Sequence, residues 1–286
     1  MYKIESKNIL TPQNGLNIYR GRTEDSILLT EIPGGDSMDI GVKMDAPDQL
    51  DSVLRSRRSK SIILMGNLGD PYNRFEEEYR LTRKCLKIIE NNDYGVVIAT
   101  KQSLILRDID ILQGIAKKTK CAVELTIPTL DEKKLKKLEG EEVISVSERL
   151  ELITTLREAG IAVLVDLAPV IPFINDDEVL DILQVLAEYD ILGVDLADLR
   201  LAIKKSVRDF FYMEYSNRFP KEYKEFAKEN AGKPGELIPR DYKKKLKESL
   251  EFCEEHGILS SGSRIKSWKR QYENKTEGEQ LSFNFT

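Results

Sequence analysis

Four polar residues follow two consecutive apolar runs of the sequence. Asp70, Tyr72 and Asn73 follow a run of four apolar residues, and Lys101 follows the next such run. An amphipathic helical pattern comes after each run, and this repetition indicates a parallel sheet covered by helices. Ligands of such folds bind at the carboxyl ends of the strands. An edge with an ammonium, an amide and a carboxylate therefore predicts a site for a polar small molecule.

A second interpretation of two of these residues needs no ligand. Asp and Asn side chains commonly cap helices and accept hydrogen bonds from nearby backbone N–H groups in turns. Asp70 and Asn73 could serve only to stabilise the turn after the first apolar run.

The alternation of apolar runs and amphipathic helices continues to about residue 200 and comprises about six strand–helix units. Because a closed barrel of this kind needs eight units, we predict an α/β fold with an incomplete barrel over residues 1–200. Residues 201–262 are predicted to form a helical C-terminal extension packed on the barrel. The aromatic residues between positions 206 and 220 favour core contacts there over a platform for stacking nucleotides. Residues 263–286 are predicted to be a polar tail that ends in a hydrophobic peptide.

Composition excludes several classes of protein. The chain has 286 residues, a net charge of −5 and 41% hydrophobic residues, which is typical of a globular protein. It contains no apolar run long enough to cross a membrane, and the N-terminus does not resemble a signal peptide, so we expect a cytoplasmic protein without a membrane partner. The charge of the whole chain is no argument for nucleic-acid binding, although it leaves room for a local basic surface.

The thiol and imidazole groups are too few and too scattered for familiar sites. Cys85, Cys121 and Cys253 lie far apart in the sequence, and His256 is the single histidine. These spacings fit neither a zinc site nor a disulfide framework, and one histidine near a helix end makes a histidine-based triad unexpected.

Short motifs distributed between about residue 8 and residue 258 occur in a characteristic order. They are at 16–21, 65–66, 70–73 with Glu76, 81–83, 99–101, 106–108, 110–112, 147–149 and 169–176. In this order they resemble the radical S-adenosylmethionine (SAM) enzymes related to spore photoproduct lyase, the DNA-repair photolyase-type group. The resemblance implies an open, partial (βα)6 barrel of the TIM type, in agreement with the count of strand–helix units.

The resemblance also implies a cofactor site. Enzymes of this group hold a four-iron, four-sulfur cluster on a C-x3-C-x2-C loop directly after a Tyr-Arg-Gly motif. The cluster reductively cleaves S-adenosylmethionine to a 5′-deoxyadenosyl radical. The match carries Asp70, Tyr72 and Lys101 onto the residues around S-adenosylmethionine, and we add Asn73 and Glu124 to the predicted cofactor-binding set.

The sequence departs from the family at the cluster loop. The Tyr-Arg-Gly motif at 19–21 places the expected cysteines at Arg22, Ser26 and Leu29. Arginine and leucine cannot ligate iron, and serine is a poor substitute for a thiolate. We therefore expect no iron–sulfur cluster, no metal site and no radical chemistry by the family's mechanism. Arg22 could supply a fixed positive charge to an anion or a nucleotide that binds without iron, or it could be a solvated surface residue.

Three functions remain open at this point. The first is a degenerate, spore photoproduct lyase-like pseudoenzyme that binds a nucleotide or nucleic acid and is linked to DNA repair. The second is an enzyme that uses the S-adenosylmethionine-type pocket for non-radical chemistry, with Asp70, Lys101, Glu124 and Asp166 as acids, base and cation. The third is a cysteine-less form, natural or engineered, of an active radical SAM DNA lyase. The cofactor is S-adenosylmethionine or another nucleotide in the first two cases.

The last residues suggest a partner. Gln280, Leu281, Phe283 and Phe285 resemble the short peptide with which bacterial DNA-metabolism proteins bind the sliding clamp. In such peptides a leucine and an aromatic residue fill one apolar pocket while the glutamine forms hydrogen bonds. The alternative is that Phe283 and Phe285 cover the open edge of the barrel.

Overall fold

The computed structural model describes residues 2–4, 8–20, 27, 40–66, 69–141, 143–230, 232–260 and 262–275. The described strands are β1 (Tyr2–Lys3), β2 (Gly15–Leu16), β3 (Tyr19–Arg20), β4 (Gly41–Val42), β5 (Ile62–Met65), β6 (Gly95–Thr100), β7 (Cys121–Thr126), β8 (Ala162–Asp166), β9 (Gly193–Asp195), β10 (Leu201–Ala202) and β11 (Glu236–Leu237). The described helices are α1 (Ala46–Ser56), α2 (Glu76–Tyr79), α3 (Leu81–Asn91), α4 (Ile109–Lys118), α5 (Glu132–Glu139), α6 (Val146–Glu158), α7 (Val179–Ala187), α8 (Arg208–Arg218), α9 (Pro220–Glu229), α10 (Tyr242–Glu255) and α11 (Gly262–Arg270), with 3-10 turns at Ser103–Asp108, Ala197–Leu199 and Lys205–Val207.

Six parallel strands form the central sheet, in the order β2, β5, β6, β7, β8, β9. Each strand pairs with the one that precedes it along this order, so every crossover carries the chain to the adjacent position. This arrangement confirms the predicted α/β fold with six strand–helix units in an open, partial barrel.

The two faces of the sheet bury different sets of side chains because residues alternate along each strand. One set belongs to the large core beneath the helices and includes Ile63, Met65, Val96, Ile98, Val123 and Val165. The other set lies on the concave face and includes Ile62, Leu64, Val97, Ala122 and Ala162. Each fully buried aliphatic side chain of the large core contributes roughly 1.5–3 kcal/mol to stability.

Local sequence signals account for helix boundaries. The Ser145 hydroxyl accepts a hydrogen bond from the Glu148 N–H, and the Glu148 carboxylate accepts one from the Ser145 N–H at 2.7 Å, which is a complete capping box for α6. At the start of α5, the Asp131 carboxylate accepts hydrogen bonds from the N–H groups of Lys133 and Lys134.

Helices α8 and α9 share a second hydrophobic core with Leu138, Ile171 and Ile174. Phe211, Tyr212 and Tyr215 of α8 are buried in it, as predicted for the aromatic residues between positions 206 and 220, and Phe226 of α9 packs with them. Ile27 is buried in the same cluster, and its N–H donates to the Leu138 carbonyl at 2.8 Å. This second core joins the extension to the barrel.

The first part of the segment predicted as a polar tail contains a helix, α11. Its Ile265 is fully buried, and Trp268 packs with Tyr272 against the concave face of the sheet. The Tyr272 hydroxyl donates to the Asp93 carbonyl at 2.8 Å. The three apolar residues recur at helical spacing, and the concave face of an open barrel offers them apolar surface to bury.

No described helix is long and apolar enough to cross a lipid bilayer.

Candidate functional site

Asp70 connects the ends of two neighbouring strands. One carboxylate oxygen accepts hydrogen bonds from the Tyr72 N–H at 2.8 Å and the Thr100 hydroxyl at 2.7 Å. The other accepts one from the Lys101 N–H at 2.8 Å. The loop after β5 is thereby fixed to the carboxyl end of β6, which brings two of the predicted site regions together.

A glycine allows this close approach. Gly66, directly after β5, has a φ of +99°, and a Cβ at this position would lie 2.1 Å from the Ala99 carbonyl oxygen. Only glycine fits both the backbone conformation and the space.

Asn73 and Tyr72 face the inside of the protein. The Asn73 amide donates to the Asp70 carbonyl at 2.8 Å and accepts from the Phe75 N–H at 3.0 Å. Tyr72 is 2% exposed, and burial, followed by nearby carboxylates, raises the pKa of its phenol well above the usual value. These contacts match the interpretation in which Asp70 and Asn73 stabilise a turn.

Glu76 is the centre of a buried polar network behind this loop. Its carboxylate accepts from the Tyr19 hydroxyl and from an Arg107 guanidinium N–H, both at 2.6 Å, and from the Thr82 N–H at 2.8 Å. Arg107 also forms an ion pair with the buried Asp108 at 2.8 Å. The network connects β3 to the loops after β5 and β6. The family motifs include these residues, but the sequence does not show which of them contact one another.

Lys101 lies at the carboxyl end of β6 and contacts a buried pair of opposite charges. Its ammonium nitrogen is 3.0 Å from a Glu139 carboxylate oxygen. The other Glu139 oxygen is paired with Arg149, whose guanidinium also donates to the Thr126 carbonyl at 2.6 Å. Burial would raise the pKa of Glu139, but the charges of Lys101 and Arg149 outweigh it and hold the pKa below the usual value. Glu139 therefore keeps its negative charge beside Lys101.

A second charged group lies on the concave face of the sheet. Glu124 of β7 forms an ion pair with Lys269 of α11. Asp166 ends β8, and its carboxylate accepts from the Ala168 N–H at 2.9 Å. Burial, together with the charges of Glu124 and Asp195, raises the pKa of Asp166 to about 7. The group therefore contains a carboxyl that titrates near neutral pH. The sequence pattern points to Glu124 and Asp166 as site residues but gives no signal for Lys269.

Asn175 connects the loops that follow β7 and β8. Its amide donates to the carbonyls of Pro128 and Pro169, both at 2.7 Å, and accepts from the Ile171 N–H at 2.7 Å. Both N–H groups and the oxygen of this amide therefore form hydrogen bonds within the protein. These contacts give the asparagine of the 169–176 motif a structural role at the barrel mouth.

Two groups of sequence predictions lie outside the described residues. These are the degenerate cluster loop, with Arg22, Ser26 and Leu29, and the terminal peptide, with Gln280, Leu281, Phe283 and Phe285. The three cysteines are described, and all are buried, in α3, β7 and α10. Burial raises the pKa of each thiol, that of Cys121 to about 12. Within the described part of the chain, His, Cys, Asp and Glu form no group of three or more that could hold a metal ion.

The family follows from a sequence comparison. The model of the radical SAM superfamily matches residues 36–186, which is more than half of the chain. The protein therefore belongs to the radical SAM superfamily.

Individual relatives carry no assigned function. An uncharacterized protein of Methanocaldococcus jannaschii is 25% identical over 224 residues, which are 77% of this chain and 75% of that protein. An uncharacterized protein of Mycobacterium tuberculosis H37Rv is 27% identical over 196 residues, 67% of this chain and 55% of that protein. This chain thus spans about half the length of the mycobacterial relative.

Solved structures of spore photoproduct lyase share the fold. A double mutant with bound AdoMet and dinucleoside spore photoproduct superposes with a TM-score of 0.66 at 15% identity, over 91% of this chain and 80% of that chain. A complex with dinucleoside spore photoproduct gives a TM-score of 0.64 at 15% identity, over 88% and 78%. At this identity the likeness shows the partial barrel and no more.

Proposed function

We propose that this protein is a degenerate, spore photoproduct lyase-like member of the radical SAM superfamily that binds a nucleotide without an iron–sulfur cluster. It acts as a pseudoenzyme linked to DNA repair. The observation that carries the proposal is a combination: the family's barrel and its Lys101 are present, while Arg22, Ser26 and Leu29 stand where the resemblance places the cluster cysteines.

The donor atoms of this chain do not fit a four-iron, four-sulfur cluster. Iron–sulfur clusters need thiolates, and the three thiols of the chain are buried in separate elements, with raised pKa values that disfavour the thiolate.

The mouth of the barrel does fit a polar, anionic ligand. Lys101 directly follows β6 at the carboxyl end of that strand, and Glu124 and Asp166 lie on the neighbouring strands β7 and β8. A ligand carboxylate or phosphate would share the Lys101 ammonium with Glu139, and ribose hydroxyls could donate to the carboxylates. S-adenosylmethionine combines both kinds of group, and AdoMet is bound in one of the similar spore photoproduct lyase structures.

Calorimetric titration of S-adenosylmethionine into the iron-free protein tests this function. We expect saturable binding that Lys101→Met weakens at least about tenfold, because a charge-assisted hydrogen bond contributes on the order of 1.5–3 kcal/mol.

Lys134→Met is the matched control. Lys134 of α5 is also a half-buried lysine paired with a glutamate, but its partner is Glu178, directly before α7, and not Glu139. Its loss should therefore leave the affinity unchanged. No binding by the wild type, or equal weakening by both variants, contradicts the proposal.

A second candidate is a non-radical enzyme that uses the same pocket. The observation in its favour is Asp166, whose pKa of about 7 suits a general base at neutral pH. Turnover of a bound nucleotide that Asp166→Asn abolishes without loss of binding would favour this candidate over the pseudoenzyme. The third candidate, a cysteine-less form of an active lyase, predicts that restored cysteines bring back reductive cleavage of S-adenosylmethionine and not only a cluster.

The sliding clamp is the proposed partner of the terminal peptide. The proposal rests on the residue types Gln280, Leu281, Phe283 and Phe285 alone. A synthetic peptide of residues 278–286 that does not bind a bacterial clamp would rule it out.

A further inference from the structure

Helix α11 brings a positive charge into the interior of the barrel. Its Lys269 forms an ion pair with Glu124 of β7, and the two side chains are only 16% and 14% exposed. Glu124 stands two residues after Ala122 on the same strand, so both side chains face the concave side of the sheet. The pair therefore lies inside the barrel and not on its outer surface.

The chain first joins the edge of the sheet before it enters the barrel. The Leu259 carbonyl accepts from the Val194 N–H of β9 at 2.8 Å, and the Leu259 N–H donates to the Leu192 carbonyl at 3.1 Å. α11 begins at Gly262 and leads from this edge to the middle of the sheet, where Trp268 packs against residues of β5, β6 and β7. The helix therefore crosses the concave face.

Two hydrogen bonds hold the segment that follows α11. The Tyr272 hydroxyl donates to the Asp93 carbonyl at 2.8 Å, and the Lys275 N–H donates to the Lys118 carbonyl at 2.9 Å. Both carbonyls come before strands, β6 and β7, and so lie at the amino ends of these strands. Because the chain is fixed on both sides of α11, the helix holds Lys269 in one place.

The ion pair borders the proposed nucleotide pocket. Glu124 is opposite Ala99 in the register of β6 and β7, and Lys101 stands two residues beyond Ala99. Two residues of a strand span about 7 Å, which is less than the length of a nucleoside. A ligand that binds Lys101 through an anionic group can therefore extend down the barrel to the pair of Lys269 and Glu124.

Two further carboxyls make the surroundings of the pair acidic. Asp166 and Asp195 are opposite each other in the register of β8 and β9. Burial first, and then the charges of Glu124 and Asp195, raise the pKa of Asp166. The charge of Lys269 acts on this pKa in the opposite direction. Lys269 therefore affects the charge of the whole group and not of Glu124 alone.

An ammonium among carboxylates occupies the position that the positive group of a ligand would otherwise take. We propose that Lys269 is a specificity-determining residue of the pocket, which lowers the preference for a positively charged ligand over a neutral ligand of the same shape. The wild type should therefore bind both a neutral adenosyl thioether and the charged sulfonium. This inference rests on the proposed nucleotide-binding function and names the charge of the ligands that the same site accepts.

Calorimetric titration with S-adenosylmethionine and S-adenosylhomocysteine measures this preference. The two ligands share the adenosine, amino and carboxylate groups and differ in a methyl group and in the positive charge on sulfur. In Lys269→Met we expect the ratio of the two affinities to shift about tenfold toward S-adenosylmethionine relative to the wild type. The reason is that the unpaired Glu124 carboxylate attracts the sulfonium inside a barrel of low dielectric constant.

Lys266→Met is the matched control. Lys266 lies on the same helix, is exposed, and its replacement removes the same charge. Because its ammonium lies outside the barrel, the ratio of affinities should remain that of the wild type.

A double variant separates the effect of charge from that of packing. Lys269→Met combined with Glu124→Gln removes both members of the ion pair, so the ratio should return to about the wild-type value. A loss of α11 packing would not be reversed by the second substitution. The double variant also leaves neither partner of the pair buried with an unpaired charge, which favours its folding. The change from Glu124→Gln to the double variant removes the Lys269 charge as well and should shift the ratio about tenfold.

The results distinguish this inference from the proposed function. An unchanged ratio in Lys269→Met, an equal shift in Lys266→Met, a double variant that keeps the shifted ratio, or a wild type that binds the sulfonium and not the thioether would overturn the inference alone. Binding of S-adenosylmethionine by Lys269→Met and not by the wild type would support the role of Lys269 and contradict the proposed function. No binding of either ligand by any of these proteins would contradict both.

Discussion

Asp166 makes the stability of the protein depend on pH. Burial first, and then the charges of Glu124 and Asp195, raise its pKa to about 7 in the folded state. An unfolded chain has an aspartate pKa near 4, so between about pH 4 and pH 7 the folded protein holds a proton that the unfolded chain releases. As the pH rises through this window, the free energy of unfolding therefore falls by up to about 1.4 kcal/mol for each pH unit. This stabilising contribution is complete below pH 4 and lost above pH 7.

Asp166→Asn should remove this part of the pH dependence. The amide oxygen can still accept the hydrogen bond from the Ala168 N–H, but the side chain no longer titrates. We expect the variant to gain stability relative to the wild type as the pH rises from 5 to 8, by about 1–3 kcal/mol in urea unfolding.

Asp209→Asn serves as the control for that experiment. Asp209 is exposed on α8, and its hydrogen bond with Lys233 lowers its pKa below the usual value. Its replacement leaves the window between pH 4 and pH 7 untouched. If the free energy of unfolding of Asp166→Asn and of the wild type depends on pH in the same way, the pKa of Asp166 in the folded protein is not raised.

At the scale of elements, α11 is the helix that closes the concave face of the sheet. Trp268 packs there with Ile62, Val97 and Ala122, and the Lys120 ammonium lies 4.7 Å from the centroid of its ring. Lys269 adds the ion pair with Glu124. The helix therefore contributes both apolar contacts and a charge to the interior of the barrel.

Trp268→Ala should lower the free energy of unfolding by about 2 kcal/mol, because most of the indole leaves a packed apolar surface. Chemical denaturation measures the change. Met213→Ala is the control, since Met213 is 49% exposed and its truncation should change stability by about 0.5 kcal/mol or less. A value for Trp268→Ala as small as that of the control would show that α11 does not pack on the sheet in solution.

The elements that the sequence predicts well are those with a strong local pattern. The apolar runs at β5 and β6 and the helices after them follow from periodicity, and six units follow from counting these patterns. α11 escaped prediction because Ile265 and Trp268 stand among charged residues, so its apolar side is visible only when a concave sheet is present to cover it.

The site could be predicted only in part, for a related reason. The position of Lys101 at a strand end follows from local sequence, whereas its contact with Glu139 depends on the packing of α5 against the barrel. Asp70 illustrates the same limit: a carboxylate at a strand end fits both a ligand and a turn, and only the distances to the Tyr72 and Lys101 N–H groups reveal the turn contacts.

At the scale of the whole molecule, the proposed function requires a radical SAM barrel that binds its ligand through charged side chains and without a metal cluster. The variant with Arg22→Cys, Ser26→Cys and Leu29→Cys is a positive control for this claim, because it restores the thiolates at the positions that the family uses. If the Tyr-Arg-Gly motif correctly identifies positions 22, 26 and 29 as those of the cluster cysteines, this variant should bind about four irons per chain after anaerobic treatment with iron and sulfide.

The iron and sulfide content of the wild-type protein after the same anaerobic treatment, together with its visible absorbance spectrum, decides whether the barrel works without a cluster. We expect a colourless protein with no bound iron, because residues 22, 26 and 29 offer no thiolate. A brown wild-type protein with about four irons and four sulfides per chain would contradict it.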